Sequence, residues 1–417
     1  MSDQERHPAG GQEARGAAGP GRGRRILRAL LIPVLSVGTA FVLGALVIIL
    51  SDAELLALWA SDPVAAFGAS IAAVAEAYGA LLGGALGNPR TYLDAFASGD
   101  TARIIRAFNP ISESLLAATP LIFTGLAVAL GFRSGLFNIG AEGQLYLGAI
   151  LGTWIGFGLL GLPFWIHLPL AIVVGFLAGA AWGFIPGFLK ARTGAHEVIV
   201  TIMLNYVAYR LVDWFLRQPF YQRPGRHDPV SPIVDPSAVI PPLIDGLRVH
   251  WGFVLALLAA VFVSWLLYRS TLGFEFRAVG LNPSAARYAG MSISRTLVLT
   301  MAICGGLAGL AGATEILGVT KSLTPGFSPG YGFDGIAIAL LGGSSPLGVV
   351  LAALLFGVLR AGATPMQAAT GIPIDLVVVI QALVIVFVAA PRLIREIYRI
   401  RVPETTGTEI LAQGWKA

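Results

Sequence analysis

Long apolar stretches recur along most of the chain, and they constrain its fold more than any other feature. Hydrophobic residues make up 56% of the sequence and charged residues only 12%, against roughly 25% charged residues in an average soluble protein. A stretch of about 20 apolar residues is long enough to cross a bilayer as a helix. The sequence therefore predicts an all-α polytopic membrane protein with one membrane domain, residues 26–402, that packs its helices against one another.

Basic residues lie mainly at the ends of the apolar stretches, so the formal net charge of +5 indicates membrane topology rather than nucleic-acid binding. Arginines cluster just before residue 27 and again after residue 391, which predicts that both termini are cytoplasmic. Residues 1–25 are rich in Gly, Ala, Pro and Arg and are predicted to be a disordered cytoplasmic tail. Residues 403–417 are predicted to be a second cytoplasmic tail.

Counting apolar segments predicts about ten transmembrane segments. They are residues 27–50, 114–131, 145–160, 168–189, 198–216, 251–268, 296–319, 333–343, 347–359 and 374–390, of which 333–343 is long enough for only half a bilayer. Residues 51–109 are predicted to form an external segment, with Pro63–Leu86 as a helix on the outer surface, and 217–249 an external loop. Residues 270–295 are then a cytoplasmic loop.

Glycine and polar residues interrupt two of these segments, and Ser344, Ser345 and Pro346 form the second break, between residues 333–343 and 347–359. In residues 131–148, GFRSGLFNIGAEGQLYLG, their density favours a helix broken at membrane depth, although an interfacial turn would show the same pattern. Residues 114–216 and 296–390 each contain four segments with a broken element near the start, and they begin on opposite sides of the membrane. This pattern is typical of transporters built from two inverted repeats.

Several side chains in or near the breaks are candidates for the substrate pathway. Amides and carboxylates can hydrogen-bond hydroxyls or the edge of a base, and aromatic rings can stack on a base. The candidates are Phe137, Asn138, Glu142, Gln144, Tyr146, Asn205 and Asp334. For each of them, an architectural role in the break is the alternative. The five histidines are scattered and are expected mostly at surfaces, and the single Cys304 is expected to be a small buried side chain.

A short helix with clear end signals is predicted in the loop at residues 270–295. Asn282 can cap its N-terminus, Pro283 suits the first helical position and Gly290 suits a left-handed stop, which leaves residues 284–289 as the helix. Such a short helix needs a surface to dock on, and we expect another protein to supply it, although an ordinary capped loop between two membrane spans would show the same signals. The residues assigned to it and its approach are Arg277, Asn282, Pro283, Ser284, Ala285, Ala286, Arg287, Tyr288 and Gly290.

Three motifs carry a resemblance to a known family: FNIGAEGQ at residues 137–144, RAVGLNPSAARYAGM at 277–291 and GFDGIAIALLG at 332–342. In this order they resemble the permease subunits of ABC importers for nucleosides and simple sugars, within the wider group that includes branched-chain amino-acid permeases. The resemblance covers the chain from about residue 119. It implies a type II importer fold in a bacterial cytoplasmic membrane, and a substrate translocated unchanged by alternating access.

The same resemblance implies the partners. A separate ATPase subunit is expected to bind the short helix at residues 282–290 in a groove and to hydrolyse the ATP. The chain itself is therefore expected to be no enzyme and to hold no metal or cofactor of its own. The chain contains no G-x-x-x-x-G-K-[ST] phosphate-binding motif, in keeping with this expectation. A shorter paralogous permease and an external substrate-binding protein complete the expected assembly in the lipid bilayer.

An ion-coupled secondary transporter is the alternative function. Inverted repeats and broken helices fit that class equally well, but such a transporter usually needs carboxylates within the membrane to bind its ion. The candidates are few: Glu142, Glu315 and Asp334.

Overall fold

The computed structural model describes residues 22–399, and their regular structure is almost entirely helical. The α-helices in chain order are α1 (Arg22–Ser51), α2 (Ala53–Ser61), α3 (Pro63–Leu86), α4 (Pro89–Ser98), α5 (Thr101–Ala107), α6 (Asn109–Arg133), α7 (Ala141–Gly158), α8 (Phe164–Thr193), α9 (Glu197–Phe215), α10 (Trp251–Arg269), α11 (Thr271–Leu281), α12 (Pro283–Tyr288), α13 (Ile293–Glu315), α14 (Tyr331–Leu341), α15 (Pro346–Thr370), α16 (Asp375–Ala389) and α17 (Pro391–Ile397). A π-helix, Ile316–Thr320, extends α13, and Pro236–Ala238 forms a 3₁₀ turn.

Eight helices of the described part have the length and hydropathy of a membrane span: α1, α3, α6, α8, α9, α10, α13 and α15. Two shorter apolar helices, α14 and α16, accompany them. These lengths confirm the prediction of an all-α polytopic membrane protein. The break at residues 344–346 is also confirmed, since α14 has 11 residues, as expected for a half-helix.

Two of the boundaries that differ from the predicted ones lie at arginine residues. α1 begins at Arg22, inside the predicted tail, because arginine is a good helix former and the helix extends beyond its apolar part. Residues 1–21 and 403–417 lie outside the described residues. α15 continues through Arg360 to Thr370 instead of ending at residue 359, since its arginine has an acidic partner inside the protein.

The helix at residues 63–86 forms as α3, and its 24 residues have the length and hydropathy of a membrane span. It packs closely on α15, where a Cβ added to Gly84 would overlap the ring of Pro365. The predicted position of α3 at the outer surface stays a prediction.

The two predicted repeats exchange partners in a symmetric way. α6 of the first repeat packs on α14 and α15, while α13 of the second packs on α7 and α8. Glycine makes the packing of α13 on α7 and α8 possible. A Cβ added to Gly148 or Gly179 would overlap the backbone of α13 at Gly309 or Gly305. Glycines four residues apart therefore serve close helix packing, as their spacing on one helical face indicates.

The loops at residues 217–249 and 270–292 lie at opposite ends of α6. At its N-terminal end, the Ser112 hydroxyl accepts hydrogen bonds from the amides of Arg248 and Val249, at 3.0 and 2.8 Å. At its C-terminal end, Gly135 lies against the backbone of Gly280 in α11. The side of the membrane that each loop faces stays a prediction.

Residues 217–249 form an ordered loop that is hydrogen-bonded to the membrane helices. The amides of Asp235 and Ile240 donate to carbonyls at Gly156 and Leu317, at 2.9 and 3.0 Å. His167, at the start of α8, is fully buried and pairs with the Ser237 hydroxyl at 2.6 Å. His250 is also buried, so the expectation that the histidines lie mostly at surfaces was wrong for these two. Both occupy contacts between the loop and the helices.

The Ser237 hydroxyl also donates to the carboxylate of Asp235 at 2.6 Å, and the Ser237 amide donates to the same oxygen at 2.9 Å. These hydrogen bonds stabilise the ionised form and lower the pKa of the Asp235 carboxyl. The carboxylate thereby fixes the 3₁₀ turn that carries Ser237 to His167.

Candidate functional site

α7 and α14 each begin after an irregular segment, at residues 134–140 and 321–330, and their N-termini meet inside the protein. We refer to them together as the two half-helices, although α7 has 18 residues and α14 only 11. α6 ends at Arg133 and α7 begins at Ala141, which confirms that the chain breaks within residues 131–148. The amide of Gly332, in the first turn of α14, donates to the carboxylate of Glu142 at 2.6 Å. A Cβ added to Gly332 would overlap the Glu142 backbone, so glycine is required for this close approach. Amides at a helix N-terminus stabilise a negative charge, which explains how Glu142 is accommodated although it is 1% exposed.

A neutral amide from α9 caps the other half-helix. The Asn205 side chain accepts a hydrogen bond from the Gly143 amide at 2.8 Å and donates to the Ile139 carbonyl at 3.0 Å. It therefore satisfies one exposed amide of the α7 N-terminus and one carbonyl of the irregular segment before it. Asn205 positions α7.

Two further amides bond each other inside the break. Asn138 donates to Gln144 at 2.9 Å and accepts from it at 3.2 Å, and both side chains are buried. The Asn138 oxygen also accepts from the Gly140 amide at 3.0 Å, while Phe137 packs on Phe132 with ring centroids 5.1 Å apart. These two amides therefore bond to each other and to the backbone within the break. Their role as substrate contacts stays a prediction.

A cavity of about 340 Å³ lies next to this junction. Its lining comes from α7, α9 and the irregular segment before α14, and comprises Glu142, Tyr146, Tyr209, Val212, Asp213, Gly326, Ser328 and Gly330. Of the predicted pathway residues, Glu142 and Tyr146 therefore contribute to its wall. Tyr209, Asp213 and Ser328 were not predicted, although one signal could have found the first two. Asn205, Tyr209 and Asp213 are four residues apart and so share one face of α9.

Aromatic rings form one wall of the cavity. The ring of Tyr146 lies edge-on to Tyr209, with centroids 4.9 Å apart, and at 4.8 Å from Phe327. Tyr146 is 4% exposed, whereas Tyr209 is partly exposed. Tyr209 therefore presents the accessible ring of this wall.

An ion pair joins α14 to α15 on the other side of the junction. An Arg360 guanidinium nitrogen lies 2.8 Å from a carboxylate oxygen of Asp334, and the two side chains are 26% and 25% exposed. The guanidinium also lies 4.9 Å from the centroid of the Tyr331 ring. Asp334, predicted to line the pathway, thus has an internal partner. Its contact with substrate stays a prediction.

Arg133 binds the opposite end of α14. Its side chain donates to the carbonyls of Ser344 and Gly343, at 2.9 and 3.2 Å. A positive charge is favourable at a helix C-terminus, as a negative charge is at an N-terminus. The α6–α7 segment therefore holds α14 at both ends, through Glu142 and Arg133.

The short capped helix predicted in the 270–295 loop is confirmed as α12, Pro283–Tyr288. The Asn282 side chain accepts from the Ala285 amide at 3.0 Å, and Gly290 has the left-handed φ of 85°. α11 was not predicted, because the polar and glycine residues of the loop masked it. Tyr288 is 96% exposed and Ala286 is 3% exposed, so α12 presents its other side chains outward.

Comparison with known proteins agrees with this arrangement. Residues 111–389 match the family described as branched-chain amino acid transport system / permease component. The chain is 45% identical over 290 residues, which are 68% of this chain and 82% of the relative, to the guanosine ABC transporter permease protein NupP of Bacillus subtilis. It is 39% identical to the nucleoside ABC transporter permease protein NupB of Lactococcus lactis, over 67% of this chain and 79% of that one.

A further relative is a glucose ABC transporter permease protein of Haloferax volcanii, 41% identical over 66% of this chain and 75% of the relative. No solved structure matches the chain with significance. The family match covers the helices from α6 to α16, which include both half-helices, the residues that line the cavity beside their junction and α12. The chain therefore belongs to the family of ABC transporter permease components of the branched-chain amino-acid type.

Proposed function

We propose that the chain is a permease subunit of an ATP-driven importer that translocates nucleosides or related simple sugars. The observation that carries the proposal is the cavity where the two half-helices meet, because it combines aromatic rings with carboxylates and backbone polar groups. Such a combination suits a small, largely uncharged, hydroxyl-rich molecule. The names of the relatives, which specify guanosine, nucleoside and glucose transport, support the same substrate class.

The energy source in this proposal is a separate ATPase subunit that binds α12, and this chain itself is no enzyme and holds no cofactor. Tyr288 and Arg287 are exposed on a helix that is fixed at both ends, as a docking element requires. The second permease is a paralogue. Bacillus subtilis has a guanosine ABC transporter permease protein NupQ, 27% identical to this chain, in addition to NupP. A substrate-binding protein meets the loop at residues 217–249, and both termini are cytoplasmic in a bacterial cytoplasmic membrane.

A continuous route of contacts connects α12 with the cavity and supports alternating access. α12 follows α11, whose Gly280 lies against the backbone of residues 133–135, where a Cβ would overlap the Arg133 carbonyl. Arg133 binds the C-terminal end of α14, and the α6–α7 segment leads to Glu142 at its N-terminal end. In this proposal, movement of α12 by the ATPase is passed along these contacts to the junction of the half-helices.

Uptake by cells that express this chain with its neighbouring transporter subunits tests the proposal. Radiolabelled guanosine, uridine and glucose should accumulate, and a hydrolysis-deficient ATPase subunit should abolish the accumulation. Accumulation that survives loss of ATP hydrolysis but collapses with the ion gradient would instead assign the chain to ion-coupled secondary transporters.

The docking role of α12 has its own test. Tyr288→Ala removes an exposed side chain, so we expect weaker capture of the ATPase subunit by the purified permease with an unchanged melting temperature. Ala286→Pro should have a larger effect, because it removes the amide that donates to the Asn282 carbonyl at 3.0 Å, but Ala286 is buried and this variant also disturbs packing. Normal capture by both variants would exclude α12 as the docking element.

A further inference from the structure

Two cavity residues that sequence analysis did not assign lie one helical turn apart on α9. We propose that Tyr209 and Asp213 bind the sugar ring of the substrate, the carboxylate accepting hydrogen bonds from two adjacent hydroxyls while the aromatic ring packs on the C–H face. This inference rests on the proposed function and deepens it. It assigns recognition to the sugar, which nucleosides and simple sugars share, and not to the base.

The position of α9 supports this assignment. Residues four apart on a helix share one face, and Asn205 at the start of this series is hydrogen-bonded to the α7 N-terminus. Tyr209 then contacts Tyr146, and Asp213 lines the same cavity one turn further along. The orientation of both side chains toward the cavity is therefore fixed by the packing of α9 on α7.

Of the two carboxylates that line the cavity, Asp213 is the one that can still accept hydrogen bonds. Glu142 is 1% exposed and already accepts the Gly332 amide, whereas the Asp213 side chain is 39% exposed. Its Oδ2 lies 3.4 Å from Arg210, whose own side chain is 86% exposed, and no hydrogen bond within the described residues uses Oδ1. An ionised carboxylate only accepts hydrogen bonds, so it selects ligands that present donors.

Adjacent donors could come from two parts of a nucleoside. A ribose presents its 2′- and 3′-hydroxyls, and a guanine base presents neighbouring N–H groups on its Watson–Crick edge. The Tyr209 ring can pack on either part, so the geometry of the cavity alone does not decide between the ribose and the base. The sugar is the part common to the proposed substrates, since a simple sugar has adjacent hydroxyls and no base.

Ligand binding to the assembled transporter without its substrate-binding protein separates these sources. The probes are guanosine, 2′,3′-dideoxyguanosine and glucose, with saturation-transfer NMR as the measurement because it detects weak binding and reports which ligand protons touch the protein. We expect the sugar protons of guanosine to receive more saturation than H8 of the base. Asp213→Asn should weaken guanosine and glucose binding about tenfold, as loss of a charged hydrogen-bond acceptor does, and should leave dideoxyguanosine binding unchanged.

Substitutions of Tyr209 provide a second, independent test of the inference. Tyr209→Phe keeps the ring and should change binding less than twofold, whereas Tyr209→Leu should weaken it about fivefold, as loss of an aromatic contact does. Asp94→Asn, which removes the same charge from an exposed position on α4, is the matched control and should change nothing. Elution of each variant as an intact complex in size-exclusion chromatography shows that binding, and not assembly, has changed.

Distinct outcomes overturn the inference and the proposed function. If Asp213→Asn weakens guanosine and dideoxyguanosine equally, the base is recognised and the inference is wrong. If binding is unchanged in Asp213→Asn, or if the wild-type complex transports guanosine without measurable binding in the absence of the substrate-binding protein, these residues recognise no sugar. If no nucleoside or sugar is transported at all, the proposed function itself fails.

Discussion

The half-helices α7 and α14 occupy corresponding positions in the two repeats, yet the protein holds them in different ways. α7 has 18 residues and packs through glycine, with Gly148 against the backbone of Gly309 and the carbonyl of Leu145 against Gly312. Its N-terminus is capped by the neutral amide of Asn205. α14 has 11 residues and also packs through glycine, with Gly335 against the backbone of Thr124 in α6, but charged side chains hold it in addition. These are Glu142, Arg133 and the partner of Asp334, Arg360.

We expect the two kinds of contact to affect different properties, the glycine contacts affecting assembly and the charged contacts affecting transport. Backbone contacts through glycine tolerate no added atoms, so α7 forms part of a tightly packed layer with α8 and α13. A charged contact at the end of a helix can be broken and formed again without repacking a core. Substitutions of glycine in the α7 layer should therefore mainly reduce assembly, and substitutions of the charged side chains around α14 should mainly reduce transport.

The largest effect is expected from Gly309→Leu. The side chain would collide with the backbone of α8, where Gly175 and Gly179 approach Gly309. Overpacking of this kind costs about 3 kcal/mol or more, so we expect little monodisperse protein in fluorescence-detected size-exclusion chromatography. Gly83→Leu on α3, where an added Cβ meets no atom within 4 Å, is the matched control and should express normally. Normal assembly of Gly309→Leu would mean that this layer is not tightly packed.

The next largest effect is expected from Arg360→Met, which leaves Asp334 without its partner. Breaking a buried ion pair costs about 3–5 kcal/mol, and partial exposure of these two side chains reduces the cost to about 2 kcal/mol. We expect a lower melting temperature, and uptake that falls further than the amount of assembled complex. The double variant Asp334→Asn/Arg360→Met should recover much of the melting temperature. A double variant no more stable than Arg360→Met would show that the ion pair does not hold α14.

The sequence predicts the apolar helices and the breaks better than it predicts these contacts. Helix lengths and broken segments follow from hydropathy and from local glycine and proline, so α14 could be expected at half length. The pairing of Asp334 with Arg360 could not be expected from the sequence, because it depends on how α15 packs on α14. Asp213 was missed for a different reason, since its spacing from Asn205 was present in the sequence but no partner element indicated that this face of α9 lines a cavity.

A smaller effect is expected at Glu142, where two substitutions distinguish the hydrogen bond from the charge. Glu142→Gln keeps an acceptor for the Gly332 amide, whereas Glu142→Ala leaves this buried donor unpaired at a cost of about 1–2 kcal/mol. We expect Glu142→Ala to reduce uptake more than complex formation and Glu142→Gln to retain most of both. Equal loss of uptake in the two variants would mean that the charge, and not the positioning of α14, is required. Unchanged uptake in Glu142→Ala would mean that its contact with α14 is not needed for transport.

The smallest effect is expected at Arg133, at the other end of α14. The carbonyls of Ser344 and Gly343 can bond water or neighbouring groups when the arginine is absent, and a charge at a helix terminus contributes about 0.3–1 kcal/mol. Arg133→Ala should therefore leave the melting temperature almost unchanged. It should nevertheless slow uptake, because Arg133 also lies next to Gly280 of α11 and so links α14 to α12, which the proposed function makes the docking element for the ATPase subunit.

Measurement of ATP hydrolysis beside uptake makes this last prediction specific. If Arg133 transmits movement from α12, the Arg133→Ala transporter should hydrolyse more ATP per molecule transported than the wild type. The Glu142→Gln transporter should hydrolyse the same amount of ATP per molecule transported as the wild type. If Arg133 only stabilises the α14 terminus, ATP hydrolysis and uptake will fall together and the ratio will not change. The ratio therefore separates a contact that couples the two half-helices to α12 from one that merely completes a helix end.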